Sequence, residues 1–173
     1  KCEAAGIKPI SGSSIRVAFD EDDQSHELLC LAKTNQGHKN LMRIISSAHN
    51  NYNFQTPIID FASLIELKED IVVISGGKDS HIFNLLKRNK TEDAEKRVDQ
   101  FLKAFDDDFV LEVQRTNRLD ENEYFANLLP LSSKKGIPVI ATNDVLFSKE
   151  EDFDIHETKV CINTGKTLND PNR

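Results

Sequence analysis

Short apolar segments alternate with longer amphipathic ones along most of the chain, and this alternation predicts strands followed by helices. Each strand-like segment is either continuously apolar or alternates apolar with polar positions, which is the period of a β-strand. Five segments fit: Ile7–Val17, Glu27–Ala32, Ile71–Ile74, Phe109–Val113 and Ile137–Ala141. The first of them is predicted to form one or two short strands, because Gly12-Ser13-Ser14 interrupts its apolar pattern.

Helices are predicted between these strands from apolar residues at helical spacing and from capping residues. Asn35, Asp60 and Ser80 are each placed to cap a helix. Pro130 should kink or break the helix in which it lies, because proline removes a backbone donor. The predicted helices are Asn35–Ala48, a short one after Asp60, one from Ser80 through Leu86, one starting at Thr91, Asn122–Lys135 and Lys149–Ile162.

This order predicts an α/β protein with a largely parallel sheet, and 173 residues suit a single domain. Whether the sheet is open or closed into a barrel does not follow from periodicity. In either case chemistry is expected beyond the carboxyl ends of the strands. Four such positions stand out: Gly12–Ser14, Thr34-Asn35, Ser75–Asp79 and Thr142–Asp144.

Composition narrows the classes of function. A formal net charge of −7 argues against a domain whose main task is to bind nucleic acid by its phosphates. No apolar run approaches the roughly 20 residues of a membrane span. Cys2, Cys30 and Cys161 are scattered and odd in number, which is typical of reduced cytoplasmic thiols. The chain starts without Met, and KCEAAG reads as the end of a helix closed by Gly6, so we expect a fragment.

The sequence SGGKDS at Ser75–Ser80 fits the phosphate loop of ATP-pyrophosphatase enzymes, since glycines let backbone N–H groups approach a phosphate. Two glycines and two serines equally suit a sharp turn from a strand into a helix.

Asp144 follows a strand directly and is placed either to bind a metal or to cap a turn. The five histidines include no pair with the spacing of metal ligands.

Several longer segments, in order and spacing, resemble one family. They are AGIKPISG, HELLCLAKTNQGHKNLMRIISSAH, IVVISGG, DDFVLEVQRTNR, GIPVIATNDVLF and TGKTLNDPNR. Together they resemble the polymerase-and-histidinol-phosphatase (PHP) domains of bacterial DNA polymerase III alpha subunits, from Ala5 to Arg173. The resemblance implies a distorted β/α barrel of the TIM-like kind with a cleft at its carboxyl-terminal rim. It also implies that the chain lacks the first, histidine-rich part of that domain.

Active members of the family bind a cluster of metals in this cleft, and the resemblance implies five of the ligand positions here. His26 and Asp144 keep a suitable side chain. Ser14, Gly77 and Leu146 stand where active members have glutamate, cysteine and histidine. A multinuclear site needs several anionic or imidazole ligands, so we expect no metal and no catalytic residue in this domain.

The resemblance therefore implies a catalytically inactive module of a DNA-directed DNA polymerase. The expected partners are the proofreading exonuclease subunit and the polymerase core of the same chain. DNA and Mg²⁺ would be bound by the parent enzyme, and no membrane is involved. Leu146 and Phe147 are the candidate contact residues for the exonuclease subunit.

Two alternatives remain. His26 and Asp144 could hold one metal ion for a residual phosphoesterase or pyrophosphatase, together with ligands from the missing part. The ATP-pyrophosphatase interpretation of SGGKDS is disfavoured, because that family has its loop after the first strand, whereas two or three strands come before it here.

Overall fold

The structure is a computed structural model that describes residues 1–19, 25–50, 57–78, 80–117 and 119–170. The chain forms two compact units, Lys1–Thr142 and Asn143–Arg173. The strands are β1 (Gly12–Ala18), β2 (Ser25–Ala32), β3 (Ile58–Asp60), β4 (Ile71–Ile74), β5 (Phe109–Gln114) and β6 (Val139–Thr142). The helices are α1 (Asn35–Asn50), α2 (Phe61–Glu66), α3 (His81–Lys87), α4 (Thr91–Phe105), α5 (Glu121–Lys135) and α6 (Phe153–Thr164).

The first unit contains one six-stranded sheet in the order β3-β1-β2-β4-β5-β6. The pairs β1–β3, β4–β5 and β5–β6 are parallel, whereas β2 is antiparallel to both β1 and β4. Only residues 19–24 separate β1 from β2, which is too short for the crossover that parallel neighbours require. The α/β class is confirmed. Among the described residues the sheet is open, which is consistent with a partial barrel.

Alternation along the strands gives the sheet two different faces. One face packs against helices of the first unit and supplies the strand residues of the hydrophobic core. An aromatic cluster lies within this core, where the rings of Phe101 and Phe109 stack with centroids 4.7 Å apart. The core residues on the strands are Ile15, Val17, Leu28, Cys30, Ile59, Ile71, Val73, Phe109 and Leu111. We call this side the helix-covered face, and we call the other side the uncovered face because none of its described strand residues belongs to this core.

Two of the three predicted helix caps are confirmed. Asp60 accepts a hydrogen bond from the backbone N–H of Ser63, and Ser80 accepts one from the N–H of Phe83. The prediction for Asn35 is wrong, because Asn35 is already the first helical residue. The hydroxyl oxygen of Thr34 instead accepts hydrogen bonds from the N–H groups of the next two helical residues, Gln36 and Gly37, at 3.1 and 3.2 Å.

Helix α5 is continuous through Pro130, so the predicted kink or break does not occur. Pro130 lies on the exposed side of the helix, where the carbonyl left without its usual donor can be hydrated. Leu128 and Leu131 are buried in the core on either side of it in sequence and hold both halves of the helix in place. Tertiary packing thus outweighs the local preference of proline here.

The limits of two other elements differ from the prediction. Strand β1 is a single strand that includes Gly12-Ser13-Ser14, whereas Ile7–Ser11 is not a strand. Pairing with β2 along its whole length explains why the polar triplet does not interrupt it. Helix α6 begins at Phe153, after a short 3₁₀ turn at Glu150–Asp152. Within the residues that the structure covers, no helix has the length and apolar character needed to cross a membrane.

Candidate functional site

The ends of the strands of the first unit form two opposite rows, and we call each row of strand ends an edge of the sheet. The carboxyl ends of β4, β5 and β6 share one edge with the amino end of β2, because β2 runs antiparallel to its neighbours. Ser75, Gln114 and Thr142 therefore lie at this edge. The predicted positions Gly12–Ser14 and Thr34-Asn35 lie toward the other edge, at the start of β1 and after the end of β2. The expectation that each position follows the carboxyl end of a strand is wrong for Gly12–Ser14, which begins β1. Thr34-Asn35 does follow the carboxyl end of β2, but at the opposite edge from Ser75 and Thr142 because β2 is antiparallel to β4.

His26 lies on the helix-covered face of β2. It pairs with Val17 of the core, whereas Ser14 pairs with Leu29, three residues further along β2. Residues three apart on a strand point to opposite faces, so the side chains of His26 and Ser14 lie on different faces of the sheet. The imidazole of His26 is buried and stacks on that of His81, with ring centroids 4.3 Å apart and planes 11° apart.

Glu27, the residue after His26 on β2, points to the uncovered face, as Ser14 does. The sequence analysis did not include Glu27 among the candidate site residues. It pairs with Arg16 of β1, and its backbone oxygen lies beside Gly76. The signal was present in the sequence: Leu28 and Cys30 alternate as buried residues, so Glu27 and Leu29 must point the other way. Among the described residues of β2, Glu27 is the carboxylate that points to this face.

Gly77, where the family resemblance places a cysteine ligand, lies directly against the side chain of Gln114. An added Cβ at Gly77 would lie 2.6 Å from Oε1 of Gln114. The amide Nε2 of Gln114 donates to Glu112 Oε1 at 3.1 Å and to Thr142 Oγ1 at 3.2 Å. A cavity of only about 20 Å³ remains beside Gly77 and Gln114, which is little more than the space of one water molecule.

Glu112 is the centre of a hydrogen-bonded cluster at this edge. Its buried carboxylate accepts hydrogen bonds from the hydroxyl of Thr142 and the amide of Gln114. The hydroxyl of Tyr124 donates to the backbone oxygen of Glu112 at 3.0 Å. Burial, together with the nearby Glu112 charge, raises the pKa of Tyr124, so the phenol remains a neutral donor. These contacts tie β5, β6 and α5 together at the strand ends.

The serines of SGGKDS are both bonded within the protein. Ser75 Oγ accepts a hydrogen bond from the N–H of Glu112 at 3.0 Å, and Ser80 caps α3. Gly76 has a left-handed φ of +81°, and a Cβ there would lie 2.5 Å from the backbone oxygen of Glu27. Asp79 lies outside the described residues. The local geometry is that of a tight turn from β4 into α3.

The remaining predicted residues belong to the second unit. Asp144 is exposed, and the side chain of Leu146 is 59% exposed. Phe147 is partly exposed, and its ring lies 5.9 Å from that of Phe153 and 5.6 Å from that of His156. Across the described ranges of the chain, no group of three or more His, Cys, Asp or Glu side chains is placed to hold a metal ion.

Comparison with known proteins agrees with the resemblance seen in the sequence. The family model of the PHP domain matches residues 1–116. The chain is 39% identical over 171 residues to the DNA polymerase III subunit alpha of Pasteurella multocida and 39% identical over 170 residues to that of Vibrio cholerae. It is 41% identical over 172 residues to that of Escherichia coli K12. These alignments cover 97–98% of the chain, and the chain spans 15% of the length of each relative.

Proposed function

We propose that this chain, which belongs to the PHP domain family, is part of the alpha subunit of a bacterial DNA polymerase III. The parent protein would be a cytoplasmic, DNA-directed DNA polymerase whose Mg²⁺ and catalytic residues lie in its polymerase core. The chain itself would be a catalytically inactive module that supports the core and binds the proofreading exonuclease subunit. The support for the parent is its similarity to polymerase alpha subunits along nearly all of its length.

The contact between Gly77 and Gln114 is the main support for an inactive cleft. A metal ligand at position 77 would have to occupy the space that the Gln114 amide fills. That amide is held by Glu112 and Thr142, so the cluster uses its polar atoms within the protein. Such a cluster links the strand ends, and only about 20 Å³ remains in the recess beside Gly77, which supports a site without a metal ligand at position 77.

Metal analysis combined with a phosphatase assay tests the inactive state. We expect no stoichiometric Zn²⁺ or Mn²⁺ in the purified chain and no hydrolysis of p-nitrophenyl phosphate above the blank. The matched variant is Asp144→Ala, which removes the one carboxylate that the family resemblance keeps as a ligand. Bound metal and hydrolysis, both lost in Asp144→Ala, would instead establish a residual phosphoesterase.

The second unit supports the docking role, because several large apolar side chains are exposed on only 31 residues. Exposed apolar side chains commonly mark a contact with another protein when they lie close together, and the rings of Phe147 and Phe153 lie 5.9 Å apart. We use the name apolar surface of the second unit for the exposed residues Val145, Leu146, Phe147, Phe153, Ile155 and Ile162. It includes both residues that the sequence suggested as contacts for the exonuclease subunit.

Binding of the exonuclease subunit to the full alpha subunit tests this role. We expect the double variant Leu146→Asp/Phe147→Asp to bind at least about tenfold more weakly, because charged groups would replace apolar contacts. Leu119→Asp is the matched control, since Leu119 is a fully exposed apolar residue of the first unit. Equal binding by the wild type and the double variant would exclude this surface as the docking site.

A further inference from the structure

Strand β6 has the weakest packing of the strands in the sheet. It lies at one end of the strand order and pairs with β5 alone. Among the strands that the structure describes, β6 is the one without a buried residue. Apolar burial therefore contributes little to keeping β6 in the sheet, and its hydrogen bonds to β5 matter correspondingly more.

The chain passes from the first unit to the second at the end of β6. Thr142 is the last residue of β6 and of the first unit, and Asn143 begins the second unit. From Asn143 to Phe147 the residues are exposed, and the segment is neither helix nor strand. Leu146 and Phe147, the proposed contact residues, lie in this segment. How well the segment is ordered therefore depends on how firmly Thr142 is held.

Glu112 of β5 is fixed by two neighbouring elements. Its backbone N–H donates to Ser75 Oγ, after β4, at 3.0 Å. Its backbone oxygen accepts from the hydroxyl of Tyr124, on α5, also at 3.0 Å. The residue is only 4% exposed. A buried residue that is bonded at both of its backbone groups has little conformational freedom, so its carboxylate is a fixed acceptor.

The side chain of Thr142 is bonded to this fixed acceptor. Its hydroxyl donates to Glu112 Oε1 and accepts from Gln114 Nε2 at 3.2 Å. The same amide also donates to Glu112 Oε1, at 3.1 Å. Hydrogen bonds to a carboxylate are roughly twice as strong as those between neutral groups. The three side chains meet because the register of β5 and β6 pairs Gln114 with Thr142, so the bonds also favour this register.

We infer that Glu112 and Gln114 anchor the end of β6 through the hydroxyl of Thr142, and that this anchor keeps the following segment ordered for docking of a protein partner. The second part rests on the docking role proposed above, whereas the first part does not. Contact residues that are already ordered lose less conformational freedom when a partner binds. Glu112 is then a positioning residue for Leu146 and Phe147.

Hydrogen exchange of the full alpha subunit tests the anchor. The variant Thr142→Val removes the hydroxyl and keeps the size and the branched Cβ. We expect the amides of β6 to exchange at least about tenfold faster in this variant, because local opening becomes easier, and those of β4 to be unchanged. Thr142→Ser is the matched control, since it keeps the hydroxyl and should exchange nearly as the wild type does.

Binding of the exonuclease subunit to the same variants tests the link to docking. We expect Thr142→Val to bind at least about threefold more weakly, because binding must then order the segment, and Thr142→Ser to bind as the wild type does. Unchanged exchange of β6 in Thr142→Val, or an equal increase in β4, would overturn the anchor.

The two proposals fail in distinguishable ways. Faster exchange of β6 with undiminished binding by Thr142→Val, while Leu146→Asp/Phe147→Asp binds more weakly, would overturn the link between the anchor and docking. Faster exchange of β6 with full binding by Leu146→Asp/Phe147→Asp would support the anchor and overturn the docking surface.

Discussion

The two faces of the six-stranded sheet are stabilised in different ways. On the helix-covered face, buried aliphatic and aromatic side chains from every strand except β6 join one continuous core. On the uncovered face, half-buried residues such as Val110 lie beside polar ones such as Glu112 and Gln114. Packing holds the first face, and specific hydrogen bonds between strand ends hold the second.

This difference explains why neighbouring residues in the sequence have unrelated surroundings. His26 and Glu27 are adjacent, yet His26 packs among aromatic rings whereas Glu27 points to the uncovered face. A motif compared by sequence position alone therefore risks assigning a ligand to the wrong side of the sheet. Strand alternation supplies the missing information, because it relates every position to a buried neighbour.

The largest expected difference between the faces is in the cost of truncating a side chain. Leu111→Ala should lower the free energy of unfolding by about 2–5 kcal/mol, because Leu111 is fully buried in the core. Val110→Ala, the adjacent residue on the uncovered face, should cost about 1 kcal/mol. Denaturant unfolding of both variants measures this, and equal losses would show that the uncovered face is packed as tightly as the other.

The two glycines of the turn after β4 should differ in how much an added side chain lowers the free energy of unfolding. Gly76→Ala should lower it by about 3 kcal/mol, because the positive φ of Gly76 and the fixed backbone of Glu27 both oppose a side chain. Gly77→Ala should cost about 1 kcal/mol, since it meets only the end of the Gln114 side chain.

A double-mutant cycle tests the second half of that prediction. If Gln114 is the obstacle, Gly77→Ala should cost less in a Gln114→Ala background than in the wild type. Gly76→Ala serves as the control, because its cost should be the same in both backgrounds. An unchanged cost for Gly77→Ala in the Gln114→Ala background would mean that something other than this amide fills the space.

The smallest expected effect lies at the end of β3, where Asp60 caps α2. Hydrogen bonds from Ser63 lower the pKa of Asp60, so its contribution to stability is present above the unfolded pKa and is lost as the pH falls through the folded one. Asp60→Ala should cost about 1 kcal/mol near neutral pH and less below about pH 4. Asp60→Asn keeps an uncharged cap, so its unfolding free energy should lack this pH dependence.

Local signals in the sequence were sufficient for much of the fold. Apolar runs indicated the strands β2, β4 and β5, and Asp60 and Ser80 were recognised as caps from their residue type. The antiparallel direction of β2 was also within reach, because the short connection from β1 excludes a crossover. Pro130 was misjudged because the packing that keeps α5 intact comes from distant residues.

The candidate site was less accessible to prediction. The residues Gly77, Glu112, Gln114 and Thr142 come from four separate places in the chain, and no spacing rule relates them. Their contacts depend on the register of β5 against β6, which pairs Gln114 with Thr142.

The contact between Gln114 and Gly77 also affects any stepwise introduction of a cysteine thiolate at position 77. A cysteine introduced first would collide with the amide of Gln114. A smaller residue at 114 introduced first would remove donors from Glu112 and Thr142 before any metal offsets the loss. Both single substitutions are therefore expected to lower stability, so the Gln114 contact opposes a cysteine at this position.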